Sequence, residues 1–130
     1  MDGFQFSKGI SASGMRSQAE RLRMLSENIA NADTPGYRRK ISTFERVVDQ
    51  GRETGQVKTG PIELGRGGLE RIYDPSHPLS DGDGYHDGSN VNLVVEIADA
   101  REAQRSYEAN LRMFDQARKM RSSLFELLRR

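Results

Sequence analysis

Phe4, Lys8, Ser11, Met15, Gln18, Leu22, Leu25 and Ile29 follow one another at alternating steps of four and three residues, with Lys8 the one weak position. That spacing is a single stripe along an α-helix and predicts a helix from Phe4 to Asn31, with Asp2 placed to cap it. Leu22, Leu25 and Ile29 make the upper half firmly apolar, whereas Gly9, Ser11, Ser13 and Gly14 make the lower half a poor helix in isolation. Such small residues let a second backbone come close. The helical period returns after Asn90, where Ile97, Ala100, Gln104, Tyr107, Leu111, Phe114, Ala117, Met120, Leu124 and Leu128 form one stripe. Running from Leu93 to Leu128, this helix is a rod of roughly 54 Å at 1.5 Å per residue, too long to fold back on a small core. Asn90 or Asn92 is placed to cap it. Glu96 and Asp99 set negative charge near the positive end of its dipole, and Arg118, Lys119, Arg121, Arg129 and Arg130 lie near the negative end.

The two stripes predict a mainly α fold, with long N- and C-terminal helices in an antiparallel coiled coil and a central loop/β-hairpin excursion between them. The expected divisions are a helix and turn over 1–36, an extended, β-containing arm over 37–89, and the second helix over 90–130. The first helix should stop near Asn31, because Thr34-Pro35-Gly36-Tyr37 puts Pro and Gly where a type II turn wants a fixed and a positive φ. Asn28 and Asn31, three residues apart at that stop, carry amides that can bond to the turn or to the facing helix. The triplet Arg38-Arg39-Lys40 reads as solvated. Six glycines among charged residues make Gln50 to Gly68 a loop, with short strands at Gln56 to Thr59 and Leu69 to Tyr73. Asp74 to Pro78 and Asp81 to Tyr85 read as turns.

Composition narrows the function more than the fold. Only 27 of 130 residues are Leu, Ile, Val or Phe, so a single chain has little to bury and is expected to complete its burial against other subunits. Twenty basic and 19 acidic residues are interspersed, which leaves no single-sign field for nucleic acid. Without cysteine there is no disulfide framework, thiolate metal site or Cys nucleophile. Neither a basic and apolar leader nor a membrane-spanning run is visible. By those rules the chain is expected in the cytoplasm unless another export route applies.

Candidate chemistry is sparse. The Asp81-Gly82-Asp83-Gly84 run lacks the glutamate and the glycine spacing of a calcium loop. His77 and His86 read as surface imidazoles rather than metal ligands. Gly65-Arg66-Gly67-Gly68 has neither the Lys-Ser/Thr ending nor the following helix of a phosphate loop. Most carboxylates sit beside Arg on helical surfaces, as in Glu102 with Arg105 and Glu108 with Arg112. No catalytic residue, cofactor or metal site is expected.

Ser11-Ala12-Ser13-Gly14-Met15, the run Ser26 to Tyr37 containing Asn-Ile-Ala-Asn and Thr-Pro-Gly-Tyr, and Glu102 to Asn110 containing Tyr-Glu-Ala-Asn together resemble the two terminal signatures of bacterial flagellar axial proteins, the family of rod, hook and hook-associated subunits. The short length, Tyr37-Arg38-Arg39-Lys40, Tyr73 to Pro78, and Gly84-Tyr85 leading to Asn90-Val91-Asn92 are similar to the proximal rod subunits of that family. Asp87-Gly88-Ser89 departs from them, standing where an apolar residue and Pro are usual. The resemblance implies a non-enzymatic structural subunit of the flagellar basal body, polymerising into the periplasmic rod that transmits torque from motor to hook. It implies export without a cleaved signal peptide, through the flagellar type III apparatus. The implied partners are copies of itself, other rod subunits near the inner-membrane ring, and that export apparatus, with no nucleic acid and no direct membrane insertion. Helix packing in the assembly then falls to Met15, Leu22, Leu25, Asn28, Ile29 and Asn31 on the first helix. On the second it falls to Ile97, Tyr107, Asn110, Leu111, Phe114 and Leu124, with Pro35, Gly36 and Tyr37 as the turn. The alternative is a non-polymerising cytoplasmic coiled-coil adaptor or export chaperone, which explains the seam but not the paired signatures.

Overall fold

Two long amphipathic helices and a set of short antiparallel strands make up the computed structural model, which describes residues 3–129. In order they are α1 (Gly3–Ala30), β1 (Lys40–Ile41), β2 (Phe44–Asp49), β3 (Arg52–Thr59), β4 (Glu63–Leu64), β5 (Arg71–Tyr73), β6 (Tyr85–Asp87) and α2 (Leu93–Leu128). The helices run antiparallel. Asn28 meets Glu96 at one end, Asn110 lies on Gly14 in the middle, and Arg121 donates to Gln5 Oε1 at 3.2 Å near the other end. The fold is thus mainly α, an antiparallel helix pair flanking a central β and loop region. The expected capping by Asp2 and the charge of Arg130 fall outside the described residues. Asn92 caps α2, its side chain accepting from Val95 N–H.

The seam is narrow and unusually polar. Ser11, Ser13, Ser17, Gln18, Met24, Leu25 and Asn28 are buried on α1, and Glu96, Ala103 and Ala117 on α2. Small side chains bring the helices close. A Cβ on Gly14 would sit 2.6 Å from Asn110 Oδ1, so glycine there makes room for the amide.

β2 and β3 form a hairpin where the glycine-rich stretch suggests loop. Asp49 pairs with Arg52 across the two-residue turn Gln50-Gly51, and both turn residues have positive φ, 50° and 77°. Two left-handed residues match the twist of a hairpin, which explains why the glycine punctuates strands here rather than excluding them. The hairpin lies along α1. Ser13 Oγ accepts from Val57 N–H at 3.1 Å and donates to Ile10 O, while Ser17 Oγ donates to Val57 O at 3.4 Å. The small residues of α1 therefore receive a strand backbone on one side and α2 on the other.

β5 and β6 form a second antiparallel pair, with Tyr73 and Tyr85 in ring contact at 5.1 Å. His86 is not a surface imidazole. It is buried and stacks on His77 with ring centroids 3.9 Å apart and planes 7° from parallel. The antiparallel register brings the chain back over the His77 turn, a contact that residue spacing does not reveal.

Candidate functional site

The stretch from Asn28 to Tyr37 ends α1 and begins a polar clamp. Asn31 N–H donates to Glu27 O at 3.1 Å, and Ala32 N–H donates to Ile29 O at 3.3 Å, tightening the last turn. The chain then reverses through Thr34-Pro35-Gly36-Tyr37, closed by Tyr37 N–H to Thr34 O at 3.2 Å, with Gly36 at φ 73°. Proline presets the second position and glycine supplies the third. Asn31 stays with this turn, donating to Glu27 O at 2.9 Å and accepting from the Thr34 hydroxyl at 3.0 Å.

Asn28 faces the other way. It is 0% exposed. Its amide donates to Lys40 O at 2.9 Å, and its oxygen accepts from Lys40 N–H at 2.9 Å and from the Tyr37 hydroxyl at 2.8 Å. One carboxamide thus serves as the neighbouring strand of β1, whose other edge pairs with β4. Its Nδ2 also lies 3.4 Å from Glu96 Oε2, tying the end of α1 to the start of α2.

Glu96 is 1% exposed, and Arg39 Nε reaches its Oε1 at 2.7 Å. A buried carboxylate survives only when paired and hydrogen-bonded. The basic triplet after the turn is therefore not a solvated run. Arg39 neutralises Glu96, Arg38 donates to the carbonyls of Gly65 and Gly67 at 3.1 and 2.9 Å, and Lys40 pairs with Glu27 at 2.8 Å. The Lys40 ammonium holds Glu27 below its ordinary carboxylate value by hydrogen bond and then by charge, and Glu27 raises Lys40 in return. Burial pushes the Tyr37 phenol up, Lys40 opposes, and Glu27 and Glu96 add to the rise.

Asn90 closes the clamp. Its oxygen accepts from Arg39 N–H at 2.6 Å and its amide donates to Gly65 O at 3.2 Å. The Asp87-Gly88-Ser89 departure has a definite path. Gly88 O accepts from Gly36 N–H at 3.1 Å, and the Ser89 hydroxyl donates to Ala32 O. A Cβ on Gly88 would lie 2.8 Å from the Ile72 side chain and 3.3 Å from Glu70 O.

The positions assigned to assembly fall into two groups by burial. Leu25 and Asn28 are buried, and Met15, Leu22, Ile29, Asn31, Tyr37, Tyr107, Asn110 and Phe114 are half-buried. Ile97, Leu111 and Leu124 are exposed, as are Pro35 and Gly36. Tyr107 and Asn110 sit near Gly14 rather than the clamp, so the two Asn-bearing signatures do not meet each other. Glu96, which faces Asn28 across the helix pair, and Arg39, which pairs with Glu96, carry the clamp and were missed by periodicity. Their signal was a carboxylate one residue off the apolar stripe, which the helix dipole alone explained. Among the described residues, the expected pairs Glu102 with Arg105 and Glu108 with Arg112 are not closed as ion pairs, while Arg118 with Asp115 is, at 3.4 Å.

Among the described residues there is no group of three or more His, Asp or Glu side chains that could hold a metal ion, and no helix long and apolar enough to cross a membrane.

Comparison with known proteins places the two helices and then the whole chain. A family profile described as flagella basal body rod protein matches residues 10–38, and one described as flagellar basal body rod FlgEFG protein C-terminal matches residues 83–127. The flagellar basal-body rod protein FlgC of Agrobacterium fabrum is 42% identical over 136 aligned residues, covering 99% of this chain and 98% of that protein. This chain belongs to the FlgC family of flagellar basal-body rod proteins. FlgC of Borreliella burgdorferi is 33% identical over 97% of the chain and 98% of its own length, and FlgC of Salmonella typhimurium is 32% identical over 85% and 87%. The two profile matches cover most of α1 with its turn, and β6 with nearly all of α2. The β2–β3 hairpin lies in neither, while the alignment to the Agrobacterium FlgC runs through it.

Proposed function

We propose that this chain is a structural, non-catalytic subunit of the flagellar rod, polymerising with copies of itself and with other rod subunits into the periplasmic shaft that carries torque from motor to hook. The observation that carries this reading, beside family membership, is unburied surface. The chain exposes 9435 Å². A compact monomer of 14.6 kDa exposes about 6,900 Å². The excess of roughly 2,500 Å² is the size of a permanent protein interface. Ile97, Leu111, Met113, Met120, Leu124 and Phe125 contribute to it, and water is a poor final partner for them.

In this reading Leu25 and Asn28 hold the chain's own fold, whereas Ile97, Leu111 and Leu124 pack against neighbours. The assembly is heterologous and non-closing, so torque is resisted by many staggered helix contacts. The partners are rod subunits at the inner-membrane ring end, and the chain reaches the periplasm through the flagellar type III apparatus without cleavage. A cytoplasmic adaptor or export chaperone could cover the exposed helix faces with its partner but would leave both end signatures without a purpose. Fractionation tests the reading. The chain should purify with basal bodies at its full mass, and recovery from the cytoplasm alone, with basal bodies intact and lacking it, would sink the proposal.

A further inference from the structure

The outward faces of the two helices carry matched ladders of alternating charge. On α1, Arg16, Glu20, Arg23 and Glu27 succeed one another at steps of four, three and four, and all are exposed. Glu20 and Glu27 lie two positions after the buried Gln18 and Leu25, about 200° round the helix, so the ladder points away from α2. On α2, Arg105, Glu108, Arg112 and Asp115 follow at steps of three, four and three. Arg105 and Arg112 lie two positions after Ala103 and Asn110 of the seam, so this ladder points away from α1. The pair of helices thus carries one charged rail on each side, the α1 rail running beside the β2–β3 hairpin, where Arg16 and Glu20 border Val57 to Thr59.

These charges are largely unspent within the chain. Among the described residues Arg16, Glu20, Arg23, Arg105, Glu108 and Arg112 make no ion pair; Glu27 is held by Lys40 and Asp115 by Arg118. We propose that the α1 rail of one copy docks antiparallel on the α2 rail of a second copy of this chain, setting Arg16 on Asp115, Glu20 on Arg112, Arg23 on Glu108 and Glu27 on Arg105. The contact rests on the rod reading above and specifies its lateral neighbour and register. Both ladders repeat each sign every seven residues; run antiparallel, the α1 steps of four, three and four meet α2 steps of three, four and three, so every opposite-charge pair stays within one residue of the same level. A slip of half that repeat, about 5 Å, sets Glu20 against Glu108 and Arg23 against Arg105, and is repelled.

The axial stagger follows from the same numbers. Within the chain, facing residues are Asn28 with Glu96 and Gly14 with Asn110, whose numbers add to 124 in both cases. In the proposed contact Arg23 faces Glu108 and Glu20 faces Arg112, so the neighbour is displaced by seven to eight residues, about 11 Å along the axis. Rows of helix pairs built this way climb, as a helical tube requires and a flat ring does not.

The chain has no cysteine, which makes the contact directly testable in assembled basal bodies. Glu20→Cys combined with Arg112→Cys should give disulfide-linked dimers of this chain on mild oxidation. Those positions point to opposite sides of one chain, so the bond cannot close internally. Glu20→Cys with Glu108→Cys, half a repeat away, should give none. Glu20→Arg or Arg112→Glu alone should lower incorporation into basal bodies about tenfold, and the two together should restore it. If the unsubstituted chain is present in basal bodies but the first pair fails to cross-link and the reversals are harmless, the contact is wrong while the rod reading stands. Cross-linking of Glu20→Cys to a different rod subunit would overturn it in favour of that subunit. Absence of the unsubstituted chain from basal bodies overturns both.

Discussion

Replacing Asn28 by Ala removes one small side chain from four partners, and the cost is set by what those partners lose. Lys40 N–H and C=O and the Tyr37 hydroxyl bond Asn28 at 2.8–2.9 Å in a site where the amide is fully buried. β1 pairs with β4 along its other edge, so no strand replaces the missing amide. Three groups left unpaired at about 1–3 kcal/mol each would cost about 3–9 kcal/mol if dry, and because Tyr37 and Lys40 are only half-buried the cost of Asn28→Ala is expected near the lower figure. Asn28→Asp is the sharper variant because it keeps the shape and the acceptor. It loses the donor to Lys40 O and sets a carboxylate where Glu96 Oε2 lies 3.4 Å away. Two like charges at that range cost about 5 kcal/mol at an effective dielectric of 20.

The two variants differ in pH dependence. Repulsion from Glu96 raises the folded-state pKa of the introduced carboxyl above its unfolded value. Its penalty is therefore full above that raised value, eases as pH falls through it, and is gone below the unfolded value. The Ala variant has no such dependence. Urea unfolding followed by far-ultraviolet ellipticity, in an osmolyte that populates the fold, reads both effects as midpoint shifts. An Asp variant as stable as the original at neutral pH, or an Ala variant within about 1 kcal/mol of it, would show that the carboxamide is not what joins the three segments.

In dilute solution the purified chain should show less helix than the 28 and 36 residues of α1 and α2, since so much apolar surface lacks a partner; a cooperatively melting, fully helical monomer would contradict folding on assembly. Leu25→Asp, at 3% exposure, should unfold the helix pair, while Leu111→Asp, at 41%, should leave the pair folded yet stop rod assembly and motility. Swimming cells with intact basal bodies carrying the Leu111 variant would remove that position from the interface. The Tyr37 phenol, raised above 10.0 chiefly by burial, contributes stability that is fully present below 10.0 and lost as pH rises through its higher folded value. Lys40, raised by Glu27, loses its share over a similar range, so Tyr37→Phe should reduce the alkaline loss in an unfolding titration without removing it, and an unchanged alkaline limb would assign all of it to other groups.

The helices were legible because their signals are local and repeated: the helices expected at Phe4 to Asn31 and Leu93 to Leu128 match α1 and α2 within a residue. The turn at Thr34 to Tyr37 was equally plain, since Pro and Gly fix its dihedral angles. The hairpin was legible only as a β-containing excursion with a strand at Gln56 to Thr59; its first strand and its turn were not, because Phe44 to Thr59 alternates no clear apolar face. Its strands are defined by Gln50-Gly51 and by Ser13 and Ser17 on a helix some forty residues away. The clamp was half visible. Asn28 was singled out for its amide, but Arg39 and Glu96 read as ordinary surface charges until the fold placed them 2.7 Å apart. Long-range polar pairing leaves no period in a sequence, and buried charge looks like exposed charge until its partner is located.

The clamp also answers a question the seam poses. Glu96, Ala103, Asn110, Ala117 and Leu124 share one heptad position, so sliding α2 by seven residues keeps the same row facing α1 and sets a small alanine, Ala103 or Ala117, opposite Gly14. Such a slip would carry Glu96 away from Arg39 and Asn28, and a buried carboxylate without them is strongly disfavoured. The polar end should therefore fix register rather than add stability, as buried polar groups do in some coiled coils. The hypothesis separates two variants. Arg39→Met alone strands Glu96 and should cost up to about 3–5 kcal/mol, less because Arg39 is partly exposed, whereas Arg39→Met with Glu96→Met should be close to neutral but lose the unique register. The Asn110 amide carbon lies 2.8 Å from a Cβ placed on Gly14, so Gly14→Cys with Asn110→Cys should form an intrachain disulfide in the unaltered background. In the double-Met background, Gly14→Cys should also capture Ala103→Cys or Ala117→Cys, one heptad to either side. A single register surviving there would mean that side-chain packing along the seam, and not the buried charge, sets the alignment of the helices.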